Sequence, residues 1–253
     1  MLSLILRDTW GVADDRSTEL VAHVRELERR DLDLAARIDG VVDLLRRVDD
    51  IGGRARRMRG ALEAIPAEIG QAERAERDAR AREAEMRKEL ADAERRLEEA
   101  ASSRRAGEDA RMAADRAVRR AAVGAEDAAA TVAAMRERLE ALVRDEAALQ
   151  AEGEGLAVEA RHVAAEVATT PRVSESGRSA PGSSLDEIEE WGARAHAALF
   201  VVRGGLENER ERIVLEANTL ATAVLGEQVG GSSVALVRKR LEESLGGGTP
   251  ASG

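Results

Sequence analysis

Apolar residues spaced alternately four and three apart constrain this chain more than any other feature. Leu20, Val24, Leu27, Asp31, Leu34, Ile38, Val41, Leu45 and Val48 follow that spacing, which turns one stripe of a helix toward a partner helix in a left-handed coiled coil. Eight of the nine are apolar, so the first long helix has to bury this stripe. Asp14, Asp15 and Ser17 offer N-capping chemistry and first-turn negative charge just upstream, which places the expected helix start there.

A second frame runs without a slip from Ile69 to Val167, through Ala72, Ala79, Met86, Leu90, Ala93, Leu97, Val118, Val132, Met135, Leu139, Leu149, Leu156 and Val163. A frame kept that long predicts one continuous helix of about 150 Å, at ~1.5 Å per residue. The two frames differ in phase between Leu62 and Ala72, and Pro66 lies at the break with Gly70 close behind. Proline removes a helical hydrogen bond and clashes with the preceding turn, so Pro66 and Gly70 form the expected reversal, with Gly52 and Gly53 as a rival turn. Folding at Pro66 brings the charged seam residue Arg59 near Glu76 and Asp31 near Arg104, each meeting its opposite sign.

The segment "TTPRVSESGRSAPGSS", residues 169–184, reads as a flexible linker. "SLDE" then supplies a capping box, Ser184 to Glu187, and a helix with a seam through Leu185, Ile188, Ala195, Leu199, Val202, Leu206, Ile213 and Leu220 follows, closed by Gly226. A short amphipathic helix carries Val234, Val237, Leu241 and Leu245 on one face. The expected organisation is an N-terminal segment 1–14, coiled-coil helices 15–65 and 67–168, the linker 169–184, a C-terminal helical segment 185–245 and a disordered tail 246–253. The fold class is all-α: a long antiparallel coiled coil of helical hairpins with a small C-terminal helical bundle.

Trp191 and the run "AALFVV", residues 197–202, make the C-terminal helix apolar around more than one face, which calls for a bundle. Trp191, Leu199, Phe200, Val202 and Leu206 are therefore the expected packing or oligomerisation site. A second feature is a weak stretch of seam, Ala100, Arg104, Gly107, Arg111, Ala114, Val118, Ala121, Ala125 and Ala128, in which Val118 is the one large apolar residue. Little surface is buried there, so Arg104, Gly107 and Arg111 mark an expected hinge.

Composition and motifs narrow the functional classes. Charged residues are 35% of the chain, aromatics 1%, and Cys is absent, the signature of long helices rather than one globular core. Lys88 precedes Glu89 and Lys239 precedes Arg240, so neither lysine ends a phosphate-binding loop, and "EGEG" at 152–155 lacks the strand and third glycine of a dinucleotide loop. His23, His162 and His196 are far apart and match no zinc or Ser-His-Asp pattern. No enzyme activity, metal, cofactor or small-molecule ligand is expected. The cluster Arg54, Arg56, Arg57 and Arg59 could touch a phosphate backbone, but a net charge of −10 and the lack of interleaved aromatics disfavour nucleic acid. The apolar opening "MLSLIL" is far short of a membrane span of ~20 residues; residues 1–10, with Trp10, are a frayed terminus or a short segment that touches a membrane or a partner.

The heptads of residues 15–225 resemble the coiled-coil arms of bacterial chromosome-segregation ATPases. That resemblance implies a helical arm without the ATPase heads, so it transfers no functional residue, and it suggests an accessory role in chromosome organisation. The hairpin layout is also similar to bacterial membrane-remodelling proteins of the phage-shock type, which implies membrane-associated assembly. The residues themselves point first to a cytoplasmic, non-enzymatic scaffold or spacer whose partners are other proteins or further copies of itself.

Overall fold

The computed structural model describes residues 2–103, 107–225 and 232–246, with side chains described over 18–103, 107–223 and 232–244. Five helices and, among the described residues, no strand make up the fold: α1 (Leu2–Ser102), α2 (Glu108–Thr169), α3 (Glu175–Arg178), α4 (Leu185–Leu225) and α5 (Val234–Gly246). The all-α class with antiparallel helical hairpins is as expected from the seams. The side chains of the N-terminal segment, Trp10 among them, lie outside the described set, as do Gly226 and the tail beyond residue 246. The chain divides into two compact units. One comprises Met1–Gly53, Glu159–Gly182 and Glu187–Gly253; the other comprises Arg54–Val158 and Ser183–Asp186.

The second unit is an antiparallel hairpin of α1 and α2. Glu76 accepts a 3.1 Å bond from Arg136 Nε, Gly124 lies against Met86 and Gly153 against Met58, so the strands keep one register toward their turn. The reversal expected at Pro66 and Gly70 does not occur, because α1 runs through Pro66 without a break. Pro66 is exposed, whereas Ile65 beside it and Ala72 and Ala79 further along the same face are buried. Packing of that inner face outweighs the missing hydrogen bond, since helices in proteins owe more to tertiary contacts than to propensity. The boundaries 15–65 and 67–168 are replaced accordingly by one helix that begins upstream of the capping stretch and a second that starts at Glu108.

The chain reverses instead between Ser103 and Gly107, within the stretch expected to be a hinge. Ser102 Oγ donates to the carbonyls of Glu98 (2.9 Å) and Glu99 (3.1 Å). Arg111 reaches back from α2 to the carbonyls of Ala100 (3.2 Å) and Ser103 (3.3 Å), satisfying groups that a helix end leaves without partners. Gly107 opens α2, its carbonyl accepting from the Ala110 amide at 3.1 Å. Gly107 and Arg111 thus belong to the tip of a hairpin rather than to a joint within a continuous helix; Arg104 lies outside the described residues.

The first unit packs α4 against α1. Val24, Leu27, Asp31, Leu34, Val41, Leu45 and Val48 are buried, with Leu20 and Ile38 half-buried, so the stripe in the sequence is the stripe in the fold. Its next buried member is Ile51, three residues after Val48 and not four. Two three-residue steps in succession shift the seam there, as a stammer does in a coiled coil; the shift lies at Val48–Ile51 and not beside Pro66. Next to it α1 and α4 cross closely, and a Cβ added at Gly192 would stand 3.3 Å from the Gly52 Cα. Glycine permits that approach of backbones.

The remaining elements close this unit. Val24, Leu27, Ala217, Ala221, Val234, Val237 and Leu241 form one core in which α5 covers α1 and α4. Arg238 of α5 pairs with Glu28 of α1 at 2.7 Å. The segment after α2 is not the loose linker its Pro, Gly and Ser content suggests: Val173, Gly177 and Pro181 are buried, and Gly177 packs on Ala198, which leaves no room for a larger residue. Their spacing of four is the apolar signal that the composition hides. Asp31 meets Arg210, its expected partner Arg104 lying outside the described residues, and in the second unit Arg59 meets Asp186 at 2.6 Å rather than Glu76. The rule that a charged seam residue finds its opposite holds, with partners changed because the turn lies elsewhere.

Candidate functional site

The residues expected to form a contact site all lie on α4, and helical phase divides them. Ile188, Trp191, Ala195, Leu199, Val202 and Leu206 follow steps of three and four, and all are buried. Trp191, Leu199, Val202 and Leu206 are therefore core. Trp191 is fully buried, and its Nε1 has no hydrogen-bond partner among the described residues. Phe200 falls between rungs of that ladder and is 61% exposed, and Val201 is 73% exposed. Of the expected packing or oligomerisation site, the packing reading fails for Phe200, because Leu199 and Val202 on either side of it take the inward positions.

Val202 and Leu206 also floor a cleft of about 420 Å³ with Val41 and Leu44, rimmed by Arg37 and Glu166. Its glutamate is already engaged: Arg47 clasps Glu166 through two parallel bonds of 2.6 and 2.8 Å. That fork lowers the Glu166 carboxyl below its ordinary value and raises Arg47, the hydrogen bond being the leading cause in each.

Each histidine pairs with a carboxylate: His23 with Glu216 at 3.3 Å, His162 with Glu166 at 3.3 Å and His196 with Asp49 at 2.6 Å. The His196 ring also stacks on Phe200, with centroids 6.3 Å apart and planes within 10°. Phe200 is thus held in place on the surface. In the other unit the arginine cluster finds acids, Arg54 with Glu152 at 4.0 Å and Arg59 with Asp186, so those charges are largely answered within the chain. Among the described residues no group of three or more His, Asp or Glu is placed to hold a metal ion, and no helix is long and apolar enough to cross a membrane.

The arrangement that stands out is the outward face of α4. Ala197, Phe200, Val201, Gly205 and Asn208, all uncharged, are exposed and Gly204 is half-buried, with the Arg203–Glu207 pair along their edge. A Cβ added at Gly204 or Gly205 would meet nothing within 4 Å. Sequence reasoning groups Phe200 with Trp191, Leu199, Val202 and Leu206 in one packing or oligomerisation site; counting phase from Trp191 separates the two faces. Compared with known proteins, the chain matches no family model, no curated protein and no solved structure.

Proposed function

We propose that this chain is a non-enzymatic scaffold acting in the cytoplasm, in which the α1–α2 hairpin serves as a spacer and the α4 bundle as the contact site for protein assembly. The observation that supports this reading is the single register of the hairpin, from Met58 against Gly153, through Glu76 with Arg136, to Met86 against Gly124. A two-helix seam of constant register, with 49 residues of α1 between Arg54 and Ser102, sets a length of about 70 Å at ~1.5 Å per residue. Such a seam defines a distance, and a spacer works by its length.

The test removes matched heptads. Deleting residues 79–99 together with 112–132 takes three seven-residue repeats from each helix and leaves the pairing on both sides in phase. In the native host the shortened chain should fold with undiminished helical signal per residue yet fail to replace the full-length protein. Full replacement by the shortened chain would end the spacer reading.

A further inference from the structure

The geometry points to a reversible antiparallel dimer in which the outward faces of two α4 helices pack together, Val201 of each copy level with Gly204 of the other. This deepens the scaffold reading, on which it rests, by naming a second copy of the chain as the partner. The outward face is a seam in its own right. Glu190, Arg194, Ala197, Val201, Gly204, Asn208, Glu211 and Leu215 step alternately by four and three, and every one is exposed except Gly204, which is half-buried. Phe200 flanks the middle of this row and Leu215 ends it, both more than half exposed.

Two observations identify what fits there. The first is steric. Glycine is among the poorest helix formers, yet Gly204 and Gly205 sit side by side within a helix of 41 residues, with open space above both. Nothing among the described residues uses that space. Gly40, Gly60 and Gly70 are equally open but have no exposed large apolar side chain within a turn, and Gly155 has one, Val158, whereas the adjacent pair Gly204 and Gly205 has two, Phe200 and Val201. Bulky side chains one turn from a bare stretch of backbone form a surface complementary to its own inverted copy.

The second observation is charge, and it sets the polarity. Two parallel α4 helices would place Arg194 on Arg194, Glu211 on Glu211 and Glu190 on Glu190. An antiparallel pair centred between Val201 and Gly204 places Arg194 level with Glu211 of the second copy, twice by symmetry, and Ala197 level with Asn208. Glu190 falls level with Leu215, its carboxylate held by Arg194 of its own helix at 3.6 Å. The same rule operates inside each unit, where Asp31 meets Arg210 and Glu76 meets Arg136. One helix face from each copy lies at the small end of specific interfaces, so the dimer forms and dissociates readily.

Sedimentation equilibrium of the full chain, from low micromolar to hundreds of micromolar, tests this. A monomer–dimer equilibrium is expected, and Val201→Glu should abolish it while leaving helical content and melting unchanged, because Val201 is exposed in the monomer. Arg194→Glu or Glu211→Arg alone should weaken the dimer about tenfold or more, and the double reversal R194E/E211R should restore it to within about threefold. A monomer at every concentration, a dimer indifferent to Val201→Glu, or single reversals without rescue would each overturn the assignment. None of these outcomes touches the arm-length experiment, so the scaffold reading stands or falls separately.

Discussion

Asp31 and Arg210 join α1 to α4 at the one buried charged position of the seam: Arg210 Nε donates to Asp31 Oδ1 at 2.7 Å, and Asp31 is 4% exposed. The two sides of this pair are not equivalent. Arg210 is 42% exposed at its side chain, so without Asp31 its guanidinium can turn to water, whereas Asp31 has nowhere to go. Arg210→Ala should therefore destabilise the first unit by about 2 kcal/mol, toward the low side for a broken buried pair because water can reach the vacancy. Asp31→Leu should be close to neutral in denaturant unfolding. Equal losses for the two variants would show that the pair acts as an exposed one.

Leu199 and Phe200 are neighbours in sequence with opposite environments, the first fully buried and the second 61% exposed. Leu199→Ala should cost ~2 to 5 kcal/mol through lost transfer energy and a cavity. Phe200→Ala, measured at concentrations where the chain is monomeric, should stay within about 0.5 kcal/mol of the parent, as surface changes usually do. A large loss at Phe200 in a monomer would mean that its stacking on His196 matters more than its exposure implies.

Those two residues also show how the sequence can be over-read. The seam of α1 was legible from Val24 to Val48 because its large apolar residues repeat with one period over several turns, and period is what a buried helix face imposes. The turn is not, because the phase difference, the charged seam residues and the local penalty of Pro66 all point to residues 62–72, whereas packing of Ile65 and Ala72 carries the helix through the proline. The position of the phase shift, between Val48 and Ile51, carries no proline signal. The true turn, near Ser102, Ser103 and Gly107, hid among alanines that look like weak packing but allow two helices to approach closely along a thin seam. An apolar run such as the one around Phe200 is not a volume: only phase relative to Trp191 and Leu199 decides which of its members turn inward.

Gly192 and Gly205 give a matched test of close packing on one helix. An alanine Cβ at Gly192 would press at 3.3 Å on the Gly52 backbone, while one at Gly205 meets nothing. Gly205→Ala should stabilise the monomer by up to ~1 kcal/mol through helix propensity. Gly192→Ala gains the same propensity but must push α1 and α4 apart, and it should come out destabilising; Gly192→Val should lose the cooperative transition of the first unit. Equal gains at both sites would show that the crossing is looser than the 3.3 Å approach implies.

The Arg47–Glu166 fork gives the first unit an acid-sensitive contact. Its folded carboxyl is held below the ordinary range, chiefly by the hydrogen bond from Arg47, so the stability it contributes is present above the unfolded value of about 4.3 and is lost as pH falls through the lower folded value. The pair is more than one-third exposed on both sides, and solvent screening keeps its contribution below about 1 kcal/mol. Melting of the parent and of Glu166→Gln should differ at pH 7 and draw together as acid protonates the carboxyl. A difference that does not shrink in acid would assign the effect of the substitution to packing instead.

Pro66 remains the one residue of α1 that local chemistry would not choose. It carries no amide hydrogen, so the carbonyl four residues earlier, at Leu62, has no helical donor, and its ring crowds that same turn. Ile65 and Ala72 are buried against the hairpin partner and hold the helix together on that side, but the turn itself rests on fewer bonds than its neighbours. Hydrogen exchange should therefore find residues 63–70 opening faster than the turns before and after them within α1. Pro66→Ala restores the bond and removes the clash; a gain of ~1 to 3 kcal/mol is expected, with the upper figure being the full penalty of a helical proline. Loss of stability in Pro66→Ala would instead show that α1 must bend at this turn to follow α2, as proline kinks let packed helices do. In that case the proline is a shape requirement of the hairpin, and its exchange rate would stay slow despite the missing bond.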